Sequence, residues 1–570
     1  LIDYGGKLAC LGSKTIQKLN TYLPSNWSRT NPIDIIGDAN PERYAKTLEV
    51  VLSDQQTEAV LVINCPTALA SSVNAAQAVI DTITKNKFSK PILTSWLGDA
   101  YDAHRLLDKH NIPVYNTPED AVHSFIYLNQ YVRSQKILMY TPSPLPLLES
   151  EIQEARIIIH SVLQENRTFL IEPEVKRILD IYKIPTVQEF IVKTMNEALA
   201  VVETLLKKEQ KIVIKILSRE IIHKSDVGGV ALNIQNRKEA QKFIERMIEK
   251  LNQKIEGFII QPMIHRSNSH ELILGIGDDK IFGPTILFGA GGTAVEIIKD
   301  MAIELPPLDI NLAHDLLKRT SIYKRLKGYR NTPPAAINDI ILTLIKLSAM
   351  ASDLPEISEL DINPLLVDDK GVLALDARIV LNKLYYTSKT ENQRMAICPY
   401  PKSWEKEKKL TNNKNIFIRP IKAEDIEYCH AFLQKMKPHD LQSCMMTTLQ
   451  YFTQKFLTRY TQTDYMRSMV FIAFNLKQNE ILGIAHLNIQ SDYTQAECSI
   501  MVRSDYHNQG IGTILMQILI DYAIYRNIHV LWEKIMKTNK SIKAICNKFE
   551  FQFSNDLEDA DYQKVTLIIN

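Results

Sequence analysis

A chain of 570 residues and 65.2 kDa is larger than one hydrophobic core usually organises, so three to five domains are expected. Its 45% hydrophobic and 23% charged residues are ordinary for globular protein, which excludes disordered and fibrous classes. Sixty-seven basic against 65 acidic residues leave +2, so no long-range field calls for nucleic acid or an anionic membrane. Seven scattered cysteines, never spaced C-x-x-C, argue against a disulfide frame or structural zinc and fit a reducing cytoplasm. No apolar run reaches the ~18 residues of a spanning helix, and no basic-then-apolar leader opens the chain. It begins on Leu1 in sequence that reads as mid-protein, so an upstream portion is expected.

Residues 1–140 alternate apolar runs with helical stretches: EAVLVINCP (58–66), a helix near 68–87, KPILTSWLG (90–98), a helix near 99–110, IPVYNTP (112–118) and a helix from Glu119. Short buried strands joined by crossover helices predict a parallel, flavodoxin-like α/β unit. TPSPLPLLES (141–150), with three prolines, reads as a linker. Residues 151–385 form a longer mixed α/β region, with strands expected in KIVIKILS (211–218), GFIIQPMI (257–264), ELILGIG (271–277), GPTILFG (283–289) and GVLALDARI (371–379). Residues 386–414, rich in Pro, Lys and Asn, read as a solvated tether. Residues 415–570 suit an independent α/β domain.

In AECSIMV (496–502), alternation puts Ala496, Cys498, Ile500 and Val502 on one face and Glu497, Ser499 and Met501 on the other. HNQGIG (507–512) follows, and then Ile514, Leu515, Ile518, Leu519, Tyr522 and Ala523 recur at helical spacing. Gly510 and Gly512 permit close backbone approach, and the first N–H groups of the following helix lack intrahelical partners, so this turn can seat a diphosphate. On the glycines alone, a plain tight connection is the better reading. On its residues alone Glu497 is better read as a solvated strand glutamate, Lys215 in the apolar strand VIKIL (213–217) as a snorkelling lysine, and Cys498 and Cys546 as packing residues.

The segment Ala496–Ala523 resembles the acetyl-CoA-binding motif of the GNAT acetyltransferases. IFIRPIKAEDIEYCHAF resembles that family's opening strand and helix, ILGIAHLNI (481–489) its central hairpin, and KTNKSIKAICNKFEF (537–551) its closing motif, so nearly all of 415–570 is covered. The resemblance implies Glu497 as the catalytic base, backbone groups of Met501 and Val502 along the thioester arm, and His507, Asn508, Gln509, Gly510, Ile511, Gly512 and Thr513 as the diphosphate loop, with Asn539 on the cofactor side. Two positions depart from the pattern: His507 stands where Gln or Arg is usual, and Glu550 where Gly is usual, which implies weakened rather than abolished cofactor binding.

VIKILSREIIHKSDVGGVAL (213–232), HELILGIGDDKIFGPTILFGAGGTAVEIIKD (270–300) and ELDINPLLV (359–367) resemble the ATP-grasp domain of NDP-forming acyl-CoA synthetases. The resemblance implies Lys215 as a phosphate contact, Glu271 as a pocket acid, and Asn363 with Asp376 as Mg²⁺ ligands, oxygen donors suiting that hard cation. His223, in HKSD, is a phosphate carrier in some members, and a hydrogen-bonded loop histidine is the equal alternative. Residues 1–140, including WSRTNPIDIIGDANPERY (27–44), resemble the second flavodoxin-like domain of these synthetases. Their CoA-binding Rossmann domain and first flavodoxin-like domain would precede Leu1.

Synthetase-like modules followed by a GNAT domain resemble the Pat-type bacterial protein lysine acetyltransferases. That implies transfer of acetyl from acetyl-CoA to lysines of protein substrates, AMP-forming acyl-CoA synthetases among them, with ATP and Mg²⁺ in the synthetase-like part. It implies no nucleic acid or membrane partner and leaves homo-oligomerisation open. The alternative is an ADP-forming acetyl-CoA synthetase with a GNAT appendage.

Overall fold

The computed structural model describes residues 1–570 except 5, 87–88, 99, 139, 143–148, 209–210, 222–223, 225, 252–253, 267, 293–298, 329, 331, 386–393, 412, 446–453, 557–558 and 570. The chain divides into two compact units, Leu1–Met139 and Tyr140–Asn570. Among the described residues no helix is long and apolar enough to cross a membrane.

In the first unit, β1 (Val60–Asn64), β2 (Ile92–Trp96) and β3 (Val114–Tyr115) form a parallel sheet in chain order. The helices Ser72–Asn86 and Tyr101–Lys109 supply the crossovers that parallel strands require. Trp96 is fully buried among Val79, Ile80 and Leu107, and its Nε1–H donates to Ser72 O at 3.1 Å. In the segment 27–44, Asn40 starts the helix Pro41–Leu52: its Oδ1 accepts from Arg43 N–H at 2.9 Å, and Pro41 occupies the first turn, where no N–H is needed.

The middle block of the second unit has two antiparallel sheets. β4 (Phe190–Val192), β5 (Ile212–Leu217), β6 (Val230–Ile234) and β7 (Gly257–Pro262) form one, in the order β4-β7-β5-β6. β8 (His270–Asp279), β9 (Gly283–Ala290), β10 (Met301–Glu304), β11 (Ile357–Asp368), β12 (Gly371–Ala374) and β13 (Ala377–Leu381) form the other, in the order β10-β9-β8-β11-β12, with β13 also on β11. GVLALDARI, expected as one strand, is thus two. The register of β11 shifts between Ile362 and Leu365, so β12 pairs with 365–368 and β13 with 357–362. Leu375 and Asp376 fall in the gap, opposite Asn363 and Pro364, with Leu375 N–H donating to Pro364 O at 3.1 Å and Asn363 N–H to Asp376 O at 3.2 Å. That break brings Asn363 and Asp376 together.

The C-terminal block is one sheet of eight strands: β14 (Lys406–Lys409), β15 (Asn415–Pro420), β16 (Ser468–Asn475), β17 (Glu480–Ile489), β18 (Gln495–Val502), β19 (Val530–Met536), β20 (Gln552–Asn555) and β21 (Tyr562–Ile568). Their order is β14-β15-β16-β17-β18-β19-β21-β20, and among the described residues only β18 and β19 run parallel. The helix Ile511–Tyr525 packs Leu515, Ile518, Leu519 and Tyr522 against Ala496, Cys498 and Ile500 on one face. The helix Ile426–Gln434 contributes Phe432 and Leu433 to a second core that includes Met501 on the other.

The expected tether at 386–414 needs correction. Residues 386–393 lie outside the described set, but Tyr400 and Trp404 are buried in the C-terminal core and Lys406–Lys409 pair with β15. Trp404 meets Tyr522 and Phe471 with ring centroids 5.1 and 5.9 Å away. Two aromatic anchors outweigh the polar composition around them, and the lysines suit an edge strand, where charge discourages pairing with another chain.

Candidate functional site

β17 pairs with β18 from Ala496 to Val502, whereas β19 pairs with it only at Gln495, Ala496 and Glu497. Beyond Glu497 the two parallel strands part into a fork, because β19 follows β21 along its whole length. Arg503 N–H donates to Leu482 O at 2.9 Å. Since both backbone groups of a strand residue point to the same edge and alternate along the strand, Met501 turns its groups toward β17, and Cys498, Ile500 and Val502 turn theirs into the fork. The expectation that Met501 backbone holds a thioester arm is therefore corrected. Val502 does face the fork, but its carbonyl is bonded to His507 Nε2 at 3.0 Å.

His507 thus ties the loop to the end of β18. The following Asn508 and Gly510 sit in the left-handed region, at φ 60° and 90°. The Gln509 carbonyl accepts from Thr411 Oγ1 at 3.1 Å, anchoring the loop to the 400–414 segment. The first bond of the helix is Ile514 N–H to Gly510 O at 3.1 Å, which leaves the N–H groups of Ile511, Gly512 and Thr513 at its open end. The side chain of Ile511 is buried, so only its backbone can serve a ligand. A Cβ on Gly512 would lie 2.7 Å from Ile545 Cδ1, so the glycine lets this helix start press against the helix Lys540–Lys548.

Glu497 is exposed at the root of the fork and stands in register with Asn488 on β17 and Trp532 on β19. On the same face, His486 lies opposite Ser499 and is held by Ser468 Oγ at 2.8 Å, and burial pushes its ring down to about 4, which keeps it neutral at pH 7. Asn539, expected beside the cofactor, instead caps the helix Lys540–Lys548: its Oδ1 accepts from Ile542 N–H at 3.2 Å. Glu550 adopts φ 60° just after that helix, and Phe551 N–H donates to Cys546 O at 3.0 Å. This left-handed stop explains why glycine suits the position. Cys498 and Cys546 are both buried.

One carboxyl escaped sequence reasoning. Glu533 follows the last β18–β19 pair and shares the face of Leu531 and Ile535, both buried in the core with Cys498 and Cys546. Its Oε2 is shut off from solvent and has no hydrogen-bond partner. Burial, and secondarily the charge of Glu497, push its carboxyl up to about 8. The available signal was a glutamate at a core-parity position of VLWEKIM.

In the middle block, Lys215 is buried on β5, and its Nζ donates to Glu172 Oε1 at 2.7 Å, to Asp376 Oδ1 at 3.2 Å and to Leu375 O at 3.4 Å. Lys224 Nζ meets the other Glu172 oxygen at 2.5 Å. Burial opposes the charge of Glu172, but the two ammonium groups overcome it and hold the carboxyl down at about 2. Lys215, likewise opposed by burial, is raised by Glu172 and Asp376. Asn363 Oδ1 accepts from Gly292 N–H at 3.0 Å, and Gly292 abuts Glu271, whose Oε2 lies 2.2 Å from where a Cβ would stand. Four of the expected residues, Lys215, Asp376, Asn363 and Glu271, therefore converge, joined by Glu172, Lys224 and Gly292. His223 lies outside the described residues. Among the described residues no group of three or more His, Cys, Asp or Glu could hold a metal. Asn363 and Asp376 bring oxygen donors, the kind Mg²⁺ prefers, close together, with Asn363 Oδ1 accepting from Gly292 N–H and Asp376 Oδ1 paired with Lys215.

Residues 161–381 match the ATP-grasp domain family, and residues 435–551 match the acetyltransferase (GNAT) family. The ADP-forming acetate–CoA ligase I subunit beta of Pyrococcus furiosus is 35% identical over 235 residues, covering 40% of this chain and 99% of its own. The chain belongs to the ADP-forming acetate–CoA ligase family. The ADP-forming acetate–CoA ligase I of Archaeoglobus fulgidus is 30% identical over 388 residues, 67% of this chain and 54% of that one. The chain thus spans about half the length of the longer curated relatives it matches. A solved acetyl-coenzyme A synthetase of Ca. Korarchaeum cryptofilum, in complex with coenzyme A, is 33% identical, covers 40% of this chain and 100% of its own, and gives a TM-score of 0.37. This ligase-family chain carries a GNAT domain at its C-terminal end.

Proposed function

We propose that the chain is a protein Nε-lysine acetyltransferase that uses acetyl-CoA, with the ATP-grasp region serving regulation. The observation that carries this reading is the fork between β18 and β19, with Glu497 at its root and the Ile511, Gly512 and Thr513 N–H groups at its mouth. Those N–H groups would take the diphosphate, and the fork edge of Cys498, Ile500 and Val502 the thioester arm. Bound acetyl-CoA supplies the activated acyl carbon. A lysine ammonium near pKa 10.4 must lose a proton before attack, and Glu497 takes it directly or through water. Backbone N–H groups on the fork edge polarise the carbonyl. The exposure of Glu497 and its register partner Asn488 supports a protein acceptor, with AMP-forming acyl-CoA synthetases as the targets named by family resemblance.

ATP would be held near Lys215 and Glu271, with Mg²⁺ on Asn363 and Asp376, where nucleotide binding can bias one of two states of the chain without chemistry. A second reading, ADP-forming acetate–CoA ligation in which this chain supplies the ATP-grasp half, is favoured by the convergence of those four residues and by the ligase relatives. Incubation with labelled acetyl-CoA and a cytosolic extract, with and without ATP, separates the two. Label on protein without ATP is expected. Thioester turnover that depends on nucleotide, with no labelled protein, would replace the first reading by the second.

A further inference from the structure

We propose that Glu533 is the acid of acetyl transfer, its carboxyl proton passing to the coenzyme A sulfur as the thioester breaks. The inference deepens the acetyltransferase reading and rests on it. Glu533 stands one residue past Trp532, where the fork opens. It faces the core side of the sheet, with Cys498 on β18 and Cys546 on the covering helix, while Val565 lies across on β21. The charged and titratable groups that bear on it from these elements are Glu497, Cys498 and Cys546, none of them cationic. Lys534, the neighbour on its own strand, points to the other face and pairs with Asp556 at 3.2 Å.

A buried carboxylate without a cation is unfavourable, so the carboxyl stays protonated. Its Oε2 is shut off from solvent and has no partner, although buried polar atoms nearly always do, while the residue as a whole is half-buried rather than sealed, so the side chain is not closed to a ligand entering the fork. An acid works best when its pKa lies near the working pH, which Glu533 at about 8 satisfies. Cys546, a competing donor on the covering helix, is pushed by burial up to about 12 and is too weak.

The protons move between Glu497, Glu533 and water. The amine lone pair forms the N–C bond, the C–S bond breaks with its electrons going to sulfur, and the Glu533 O–H proton goes to that sulfur. Between ammonium and amide the nitrogen loses two protons: Glu497 takes the first before attack and passes it to water, then takes the second as the N–C bond forms. Glu533 takes a proton back from water before the next turnover.

The test is the full chain and its isosteric variant Glu533→Gln. With acetyl-CoA and a lysine peptide from any protein the labelling experiment marks, kcat should fall by about 10²-fold or more. KM for acetyl-CoA should be unchanged, and the wild-type loss of kcat above pH ~8 should be absent from the variant. Infrared difference spectra with coenzyme A alone, which need no acceptor, should show at pH 7 a protonated-carboxyl band that shifts on binding and is missing from the variant. A wild-type kcat that stays flat through pH ~9.5, or a variant with full kcat, overturns the proposal. The lack of a carboxyl band would overturn it even if no protein acceptor is found, whereas a band without any transfer indicts the acetyltransferase reading instead. If the variant does not bind acetyl-CoA, the wild-type pH profile and spectrum decide.

Discussion

Replacing Glu172 with Gln should loosen the middle block strongly at neutral pH and much less in acid. The carboxyl is held at about 2 against an ordinary 4.5, by Lys215 at 2.7 Å and Lys224 at 2.5 Å. A depression of about 2.5 units corresponds to roughly 3 kcal/mol of folded-state stabilisation. An independent route agrees: removing one member of a buried ion pair typically destabilises by about 3–5 kcal/mol, because the remaining charge is left uncompensated. A lowered pKa contributes stability that is fully present above the unfolded value and is lost as pH falls through the folded one. The pH-dependent part should therefore drop from about 3 kcal/mol at pH 5 to less than half of that at pH 3.

Because a chain of several domains does not unfold as two states, the measurement is local: hydrogen exchange of peptides covering Glu172–Ile181 and β5, wild type against variant at each pH. About a hundredfold faster exchange is expected in the variant at pH 5, with the gap narrowing by pH 3. Equal protection at pH 5, or a gap that does not change with pH, would refute the electrostatic account of this cluster.

Glu497→Gln should retain acetyl-CoA binding by calorimetry while acetylation turnover at neutral pH falls by about 10²- to 10⁴-fold, and unchanged turnover removes Glu497 from the mechanism. Asn539→Ala should lower the thermal midpoint of the C-terminal transition by an amount equivalent to about 1 kcal/mol, with KM for acetyl-CoA unchanged, as suits a helix cap. A raised KM would restore the residue to the cofactor site. Glu550→Gly should raise that midpoint by the equivalent of about 1 kcal/mol, because a glutamate at φ 60° is strained where glycine is not, and denaturant titration of the same transition checks it.

Local pattern was a reliable guide where chemistry and conformation are local. The alternation of β18, the glycine turn and the stripe of the helix Ile511–Tyr525 follow from residue type and spacing, and the burial of Ala496, Cys498, Ile500, Leu515 and Leu519 agrees. Even the departure at Glu550 has a local meaning, a left-handed stop that glycine would satisfy. Composition misled at 400–414, because two buried aromatics decide the fate of a segment that is otherwise polar.

What the sequence by itself determined, then, was the order of elements, the module types and those residues whose role depends on their own backbone. Only the tertiary structure decided which distant side chains share a site. Asp376 reaches Lys215 because β11 shifts register, Glu172 reaches both lysines from the start of a remote helix, and Glu533 is isolated because β19 leaves β18. The physical reason is that a charge's partners, and whether water reaches it, depend on contacts between segments dozens to hundreds of residues apart, which no periodicity along the chain encodes.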